Sequence, residues 1–266
     1  MIHWSVSPEI VDIGFIHLRW YGVLFASGIV IGFQIIHKLL LQEKVPEAKI
    51  EPMLTYVVVG TVIGARLGHV FFYEPEIFLA DPIKILMIWQ GGLASHGGVI
   101  GLCLALWIYA RKMKLPYLWL LDRVCYPAAL GSAFIRLGNL MNSEIIGRPT
   151  DLPWGFVFTR VDSLPRHPAQ LYESFFYFGV FFLMRYLYKK TKYKNMPGVM
   201  LGVYLTSIFA FRFFIEFIKA DQVAKEATMT LNIGQWLSIP TVAVGIFFWV
   251  RGLKKGEQKA YSGSLK

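Results

Sequence analysis

Three arginines, Arg66, Arg136 and Arg212, lie inside strongly apolar runs of the chain, and Arg148 follows one of these runs closely. A guanidinium group stays protonated when it is buried, and it can hold a phosphate or a carboxylate through two parallel hydrogen bonds. Ionisable residues within apolar runs are costly and usually functional. The arginines therefore predict a partly buried anion site, and a phosphate group fits its chemistry.

A histidine between small residues is the second candidate. His96 lies in the segment GGLASHGGVIG, where Gly97, Gly98 and Gly101 allow a backbone or a ligand to approach closely. A lone histidine near an apolar helix is usually a structural residue. A histidine at the same depth as several arginines is a better candidate for a general base, so we predict that His96 accepts a proton during a reaction.

The elements that must position these groups are long apolar helices. Apolar residues make up 55% of the 266 residues and charged residues only 17%, against about 25% charged in soluble domains. Roughly 20 apolar residues cross a bilayer as a helix. The sequence predicts an all-α, polytopic membrane helix bundle of about seven transmembrane helices within a single domain, residues 1–266. The runs are 20–41, 54–73, 93–110, 118–141, 170–188, 198–218 and 235–251.

The basic residues predict the orientation. The ends of runs one, three, five and seven, together with the segments that follow them, carry 16 of the 27 lysines and arginines, and the segments on the other side carry seven. Cytoplasmic loops hold the excess of positive charge, so we expect the N-terminus outside and the C-terminus in the cytoplasm. Residues 76–89 are predicted to form an interfacial arm, and residues 142–169 a small outer loop region. The net charge of +10 is explained by these loops rather than by nucleic acid.

This orientation brings the polar residues of six runs to one outer depth. A phospholipid head group is the most abundant anion at that depth, which favours a lipid phosphate as the ligand. Structural ion pairs, such as Arg212 with Glu216 four residues later, are the alternative explanation. The outer set comprises Tyr21, Arg66, His69, His96, Arg136, Asn139, Glu173, Arg212 and Glu216. Three glutamates, Glu144, Glu173 and Glu216, are expected to be the counter-ions of the arginines.

The run RLGNLMNSEIIGR, residues 136–148, resembles the signature of the bacterial prolipoprotein diacylglyceryl transferases. Further segments match the family in order, so the resemblance covers 20–217. They are RWYG at 19–22, GARLGHVFFY at 64–73, SHGG at 95–98, RHPAQLYE at 166–173 and RFFIEF at 212–217. The family pattern has glycine where this chain has Ser143, a tyrosine at His69 and an arginine at Lys219.

The resemblance implies transfer of the diacylglyceryl group of phosphatidylglycerol to the lipobox cysteine thiol of a prelipoprotein. It also implies a multi-pass protein of the bacterial cytoplasmic membrane. No cofactor or metal is expected. The resemblance and the outer polar set together give His96, Arg136 and Arg212 as catalytic candidates. The candidate substrate-binding residues are Arg136, Tyr21, Arg66, Asn139, Asn142, Glu144, Gly147, Arg148 and Glu216.

Other functions remain open from the sequence. A transporter for an anionic lipid would also line a cavity with arginine, although the paired broken helices of many transporters are not evident. A lipid-binding protein would hold phosphatidylglycerol without releasing glycerol phosphate. An intramembrane protease is disfavoured, because the runs contain no serine-protease motif and no pair of aspartates.

Overall fold

The structure is a computed structural model that describes residues 1–14, 17–76, 81–88, 91–222, 226 and 228–257. These residues form two compact units. The first takes in residues 1–36 and 121–257, and the second takes in 37–120. The expectation of one membrane domain over 1–266 stays a prediction.

Eight α-helices account for most of the described residues. They lie at all seven predicted positions, with an additional short helix before the second. The helices are α1 (Trp20–Gln42), α2 (Glu47–Ile50), α3 (Pro52–Phe72), α4 (Ser95–Met113), α5 (Tyr117–Met141), α6 (Ala169–Lys190), α7 (Val199–Ile215) and α8 (Ile233–Lys255).

Four helical stretches are long and apolar enough to cross a membrane within the part of the chain that the structure describes. The class of a largely helical membrane protein is thereby confirmed, while seven crossings and their orientation stay predictions. The four stretches are Trp20–Gln42, Glu47–Phe72, Tyr117–Met141 and Ile233–Lys255, and the apolar helix Val199–Ile215 is shorter.

Glycines bring α3 and α4 together in the second unit. A Cβ atom on Gly64 would lie 2.4 Å from the carbonyl oxygen of Gly97, and a Cβ on Gly68 would lie 2.6 Å from the Gly97 Cα. Small residues allow membrane helices to pack backbone against backbone in this way. The glycines around His96 therefore serve the packing of its helix.

A buried aspartate fixes the start of α7. The Asp122 carboxylate on α5 accepts hydrogen bonds from the backbone N–H groups of Gly198, at 2.7 Å, and Leu201, at 2.9 Å. The first N–H groups of a helix have no partner within the helix, and a negative charge there is stabilising. Asp122 thus anchors the helix that carries Arg212 at its other end.

The expectation of an all-α protein is incomplete, because the first unit also contains strands. One sheet has the order β1–β4–β5, with β1 parallel and β5 antiparallel to β4, and β2 and β3 form a separate antiparallel pair. The strands are too short to produce an alternating pattern. They are β1 (Ile2–Trp4), β2 (Glu9–Asp12), β3 (His17–Arg19), β4 (Phe156–Phe158) and β5 (Pro165–Arg166).

The predicted outer loop 142–169 is organised around this sheet. Phe156 and Phe158 of β4 form a buried cluster with Leu140 and Ile146, next to the signature segment. The predicted arm 76–89 is described only in part, because residues 77–80 and 89 lie outside the described residues. Its described part contains a 3₁₀ helix at Pro82–Leu86.

Candidate active site

The signature segment folds around Arg136 at the end of α5. Arg136 and Asn139 are three residues apart and therefore share one face of the helix. The Arg136 guanidinium donates to the Asn139 side-chain oxygen at 3.2 Å, and the Asn139 amide donates to Glu144 at 3.2 Å. Asn142 donates to the other Glu144 oxygen at 3.0 Å. Four predicted site residues thus form one hydrogen-bonded group.

The turn after α5 carries this group. Ser143 and Ile145 adopt positive φ angles of 56° and 54°, a region that favours glycine. The Glu144 amide donates to the Asn139 carbonyl at 2.9 Å, and its own carbonyl accepts a hydrogen bond from the buried Gln170 side chain. The family glycine is therefore replaced by serine at a position where serine is strained.

Glu173 on α6 is fully buried beneath Arg136. One carboxylate oxygen lies 3.2 Å from the Arg136 Nε, and the other accepts a hydrogen bond from the Lys219 ammonium at 3.1 Å. The Tyr177 hydroxyl, one helical turn later, also donates to Glu173 at 3.2 Å. Glu173 is therefore the counter-ion of one predicted catalytic arginine.

Lys219 joins Glu173 to a second carboxylate. Its ammonium donates to Glu216 at 2.9 Å, and the Arg212 Nε lies 3.6 Å from the same Glu216 oxygen. Asn232, which caps α8, donates to the other Glu216 oxygen at 3.0 Å. The ion pair of Arg212 and Glu216, which was the alternative explanation from the sequence, is present in the structure, and it belongs to a larger network.

Arg136, Glu173, Lys219, Glu216 and Arg212 form a chain of alternating charge, which we call the ionic chain. Its middle is buried, since the side chains of Glu173, Lys219 and Glu216 are 0%, 2% and 6% exposed. Its ends are more open, at 13% for Arg136 and 30% for Arg212. Three cations and two carboxylates leave one positive charge in excess. The more accessible ends of the chain are both arginines, and guanidinium groups can bind a phosphate through paired hydrogen bonds.

Gly147 and Arg148 support the ionic chain from the side. The Arg148 Nε donates to the Lys219 carbonyl at 3.1 Å, and its backbone N–H donates to the Ile218 carbonyl at 2.8 Å. A Cβ on Gly147 would lie 2.4 Å from the His167 Cβ. Only glycine fits at position 147, between His167 and the Ile218 carbonyl.

Arg166 holds the segment around Gly147 through its side chain. Its guanidinium donates to the Gly147 carbonyl at 3.2 Å and forms an ion pair with Asp162. This hydrogen-bonded partner holds the pKa of the Asp162 carboxyl below its ordinary value. The loop is therefore fixed on both sides of Gly147.

Tyr21 in the first turn of α1 contacts the signature helix. A Cβ on Gly138 would lie 2.7 Å from the Tyr21 ring, so this glycine, two residues after Arg136, makes room for the tyrosine. The ring also stacks on Phe25 at a centroid distance of 6.4 Å. Tyr21 is thereby held on the helix that carries Arg136.

Two further predicted residues belong to the second unit. His96 is an exposed residue in the first turn of α4, between Ser95 and the buried Gly97. Arg66 on α3 is buried and donates hydrogen bonds to four backbone carbonyls. These carbonyl contacts favour a role other than phosphate binding for Arg66.

Glu9, Asp12 and His17 bring possible metal-ligand atoms within 4.8 Å of one another on β2 and β3. Asp12 pairs with His17 at 3.1 Å, and Glu9 pairs with Arg19 at 3.2 Å. These surface pairs account for the cluster, and they involve no residue of the predicted site.

The residues that join the network were not among the candidates from the sequence. Glu173 was predicted to lie at the outer depth as a counter-ion of the arginines, and Lys219 was noted only as a departure from the family pattern. A helical spacing was present for both: Arg212, Glu216 and Lys219 are four and three residues apart, and Glu173 and Tyr177 are four apart.

Comparison with known proteins identifies the family of the chain. The family model described as "Prolipoprotein diacylglyceryl transferase" matches residues 8–251. This chain belongs to the prolipoprotein diacylglyceryl transferase family. The match contains the whole ionic chain and His96.

Three bacterial relatives illustrate the likeness, and each is named phosphatidylglycerol–prolipoprotein diacylglyceryl transferase. The protein of Tolumonas auensis is 49% identical over 256 residues, which is 96% of this chain and 99% of the relative. That of Chloroherpeton thalassium is 48% identical over 257 residues, 96% of each chain. That of Bacteroides fragilis is 46% identical over 259 residues, 93% of this chain and 94% of the relative.

Proposed function

We propose that this chain transfers the diacylglyceryl group of phosphatidylglycerol to the lipobox cysteine thiol of prelipoproteins, the first step of lipoprotein maturation. The products are a thioether-linked prolipoprotein and glycerol 1-phosphate. Membership of the family and the names of the relatives support this activity. The observation that carries the chemistry is the ionic chain, with two arginines at its accessible ends.

In the proposed reaction, the cysteine sulfur attacks the diacylglyceryl carbon that bears the phosphate oxygen. A carbon–sulfur bond forms, the carbon–oxygen bond breaks, and its electron pair leaves with the phosphate. The leaving group gains negative charge during this step. Arg136 and Arg212 would bind the phosphate and stabilise that charge, which is worth more in a water-poor site than in solution.

The buried part of the ionic chain would orient the two arginines. Glu173 is paired with Arg136, Glu216 is paired with Arg212, and Lys219 fixes the two carboxylates to each other. A site whose charges are fixed in advance need not reorganise when the leaving group becomes negative. Asn139, Asn142 and Glu144 would hold the other side of Arg136, and Tyr21, Gly147 and Arg148 would shape the site.

The SHGG motif at residues 95–98 makes His96 the candidate general base of the reaction. A thiol must lose its proton to become an effective nucleophile, and a histidine is suited to accept it near neutral pH. His96 is exposed in the first turn of its helix, which leaves its ring accessible. We propose that it takes the thiol proton.

The seven longer helices, α1 and α3 to α8, would all cross a bacterial cytoplasmic membrane, with the N-terminus outside. The excess of lysine and arginine on one side of the chain supports this orientation. Single cysteines introduced at the ends of the helices, in a variant with Cys103 and Cys125 replaced, would test it in intact cells. An impermeant thiol reagent is expected to label Trp154→Cys and not Lys192→Cys. The reverse pattern would contradict the orientation.

The activity can be tested with the purified chain in detergent. Phosphatidylglycerol and a peptide with one lipobox cysteine are added, and peptide mass and glycerol 1-phosphate are followed together. The proposal predicts a mass gain of one diacylglyceryl group and equimolar glycerol 1-phosphate, with neither from a peptide whose cysteine is replaced by serine. Binding of the lipid without release, or lipid movement across vesicles without transfer, would favour the alternative of an anionic-lipid binding protein or transporter.

A further inference from the structure

The Arg66 guanidinium holds one stretch of backbone in the second unit. Its Nε donates to the Ile85 carbonyl at 2.9 Å, one terminal nitrogen donates to Gly91 at 2.8 Å and Gly92 at 3.2 Å, and the other donates to Lys84. A guanidinium has five N–H groups. With one N–H for each of these four hydrogen bonds, a single N–H is left for any other partner.

The backbone that Arg66 holds has a shape that favours glycine. We call residues 81–88 and 91–94 the tether segment. Gly91 and Gly92 have φ angles of +90° and +72°, which glycine adopts readily and other residues rarely do. A Cβ on Gly92 would lie 2.5 Å from an Arg66 nitrogen and 2.7 Å from the His69 ring. Position 92 thus favours glycine for two reasons: its positive φ angle, and the lack of space for a Cβ next to Arg66.

The tether segment leads directly into the helix that bears His96. The Ala94 amide donates to the carbonyl of Ala65, the residue before Arg66, at 2.9 Å. Helix α4 begins at the next residue, Ser95. Two residues after Ser95, a Cβ at Gly97 would lie 2.3 Å from the Gly64 carbonyl oxygen. His96 is therefore bracketed by two points at which the chain is fixed to α3.

We infer that Arg66 is a positioning residue that sets the place of His96 through the tether segment, and that it does not bind the substrate phosphate. A phosphate held in a bidentate fork needs two free N–H groups that point the same way, and the carbonyls of the tether segment already take them. The inference deepens the proposed function, on which it rests for the part that His96 plays.

Two variants separate positioning from phosphate binding. Arg66→Lys keeps the charge but loses the fork, and Gly92→Ala keeps Arg66 but forces a methyl group against it. Small displacements of a reacting group cost up to about 10²-fold in rate. We therefore expect both variants to lower kcat by about 10- to 10²-fold while KM for phosphatidylglycerol changes less than about twofold. Gly179→Ala, whose added Cβ would meet nothing within 4 Å, is the matched control and should keep wild-type kinetics.

The opposite pattern would overturn the inference. If Arg66 binds phosphate, both variants raise KM for phosphatidylglycerol with little change in kcat, because the methyl group of Gly92→Ala also displaces the Arg66 guanidinium. Thermal unfolding of each variant shows whether it is folded. If Arg66→Lys does not fold, Gly92→Ala carries the comparison.

Hydrogen exchange measures the anchoring without any turnover, so it remains informative if the proposed function fails. The inference predicts a protected Ala94 amide in the wild type and faster exchange across the tether segment in Gly92→Ala. Rapid exchange at Ala94 in the wild type would contradict the anchoring. Absence of lipid transfer by the wild type, with Ala94 protected, would instead contradict the proposed function alone.

Discussion

At the scale of single residues, the site depends on carboxylates that hold cations. Glu173 is fully buried and contacts both Arg136 and Lys219. Removal of one member of a buried ion pair typically costs about 3–5 kcal/mol, because the remaining charge is left without compensation. The position of Arg136 therefore depends on its buried partner Glu173.

Glu173→Gln tests this dependence. We expect lower thermal stability and a loss of about 10²-fold or more in kcat/KM, because Arg136 and Lys219 would both lose a counter-ion. Circular dichroism and the lipid-transfer assay measure the two effects. Glu257→Gln, which removes the partner of Lys192 in an exposed ion pair, should change neither. Normal activity in Glu173→Gln would exclude the positioning role.

Lys219 offers a second test, because the family pattern has arginine at its position. Lys219→Met removes the charge between two buried carboxylates, so we expect activity to fall by about 10²-fold and the unfolding temperature to drop. Lys219→Arg keeps a cation with several donors, and activity within about tenfold of the wild type is expected. Equal loss in the two variants would mean that the charge is not what Lys219 contributes.

The sequence predicted both ends of the ionic chain and the pairing of Arg212 with Glu216, but not the link through Lys219. Arg136 and Arg212 could be recognised because an arginine inside an apolar run needs a reason to be there. The link between them passes through Glu173 and Lys219, on separate parts of the chain. Such a link depends on how α5, α6 and the segment after α7 pack, and no spacing along one helix reports that.

At the scale of elements, the long helices followed from apolar composition, and most of their ends lie within about three residues of the predicted ones. The strands could not be predicted from the sequence. β1 pairs with β4 about 150 residues away, and both have only three residues, too few to show a period of two. The anchoring of α7 by Asp122 was equally invisible, because the partner of the helix start lies on another helix.

Substitution of Asp122 tests how strongly this carboxylate stabilises the start of α7. Asp122→Ala removes the acceptor of two N–H groups at the start of α7, so we expect a loss of about 1–3 kcal/mol in the free energy of unfolding. Asp122→Asn keeps one acceptor oxygen and should fall between the alanine variant and the wild type. Chemical denaturation in detergent measures the free energy of unfolding of the two variants and the wild type. An asparagine variant less stable than the alanine variant would contradict the capping role.

At the scale of the whole molecule, the two compact units divide the candidate site residues. The first unit holds the ionic chain and the signature segment, and the second holds His96 with the tether segment. The family resemblance assigns both sets to one reaction. We therefore expect variants of the first unit to affect phosphate binding and those of the second to affect proton transfer.

The transfer rate of Arg136→Ala, measured beside the wild type in a single turnover, tests the central claim most directly. The account predicts a fall of about 10²- to 10³-fold, the usual cost of one donor to a developing negative charge, in a protein that still inserts and keeps its helical content. Gly131→Ala on the same helix, where a Cβ would meet nothing within 4 Å, is the control. A rate within about twofold of the wild type for Arg136→Ala would contradict the assignment of the phosphate to this arginine.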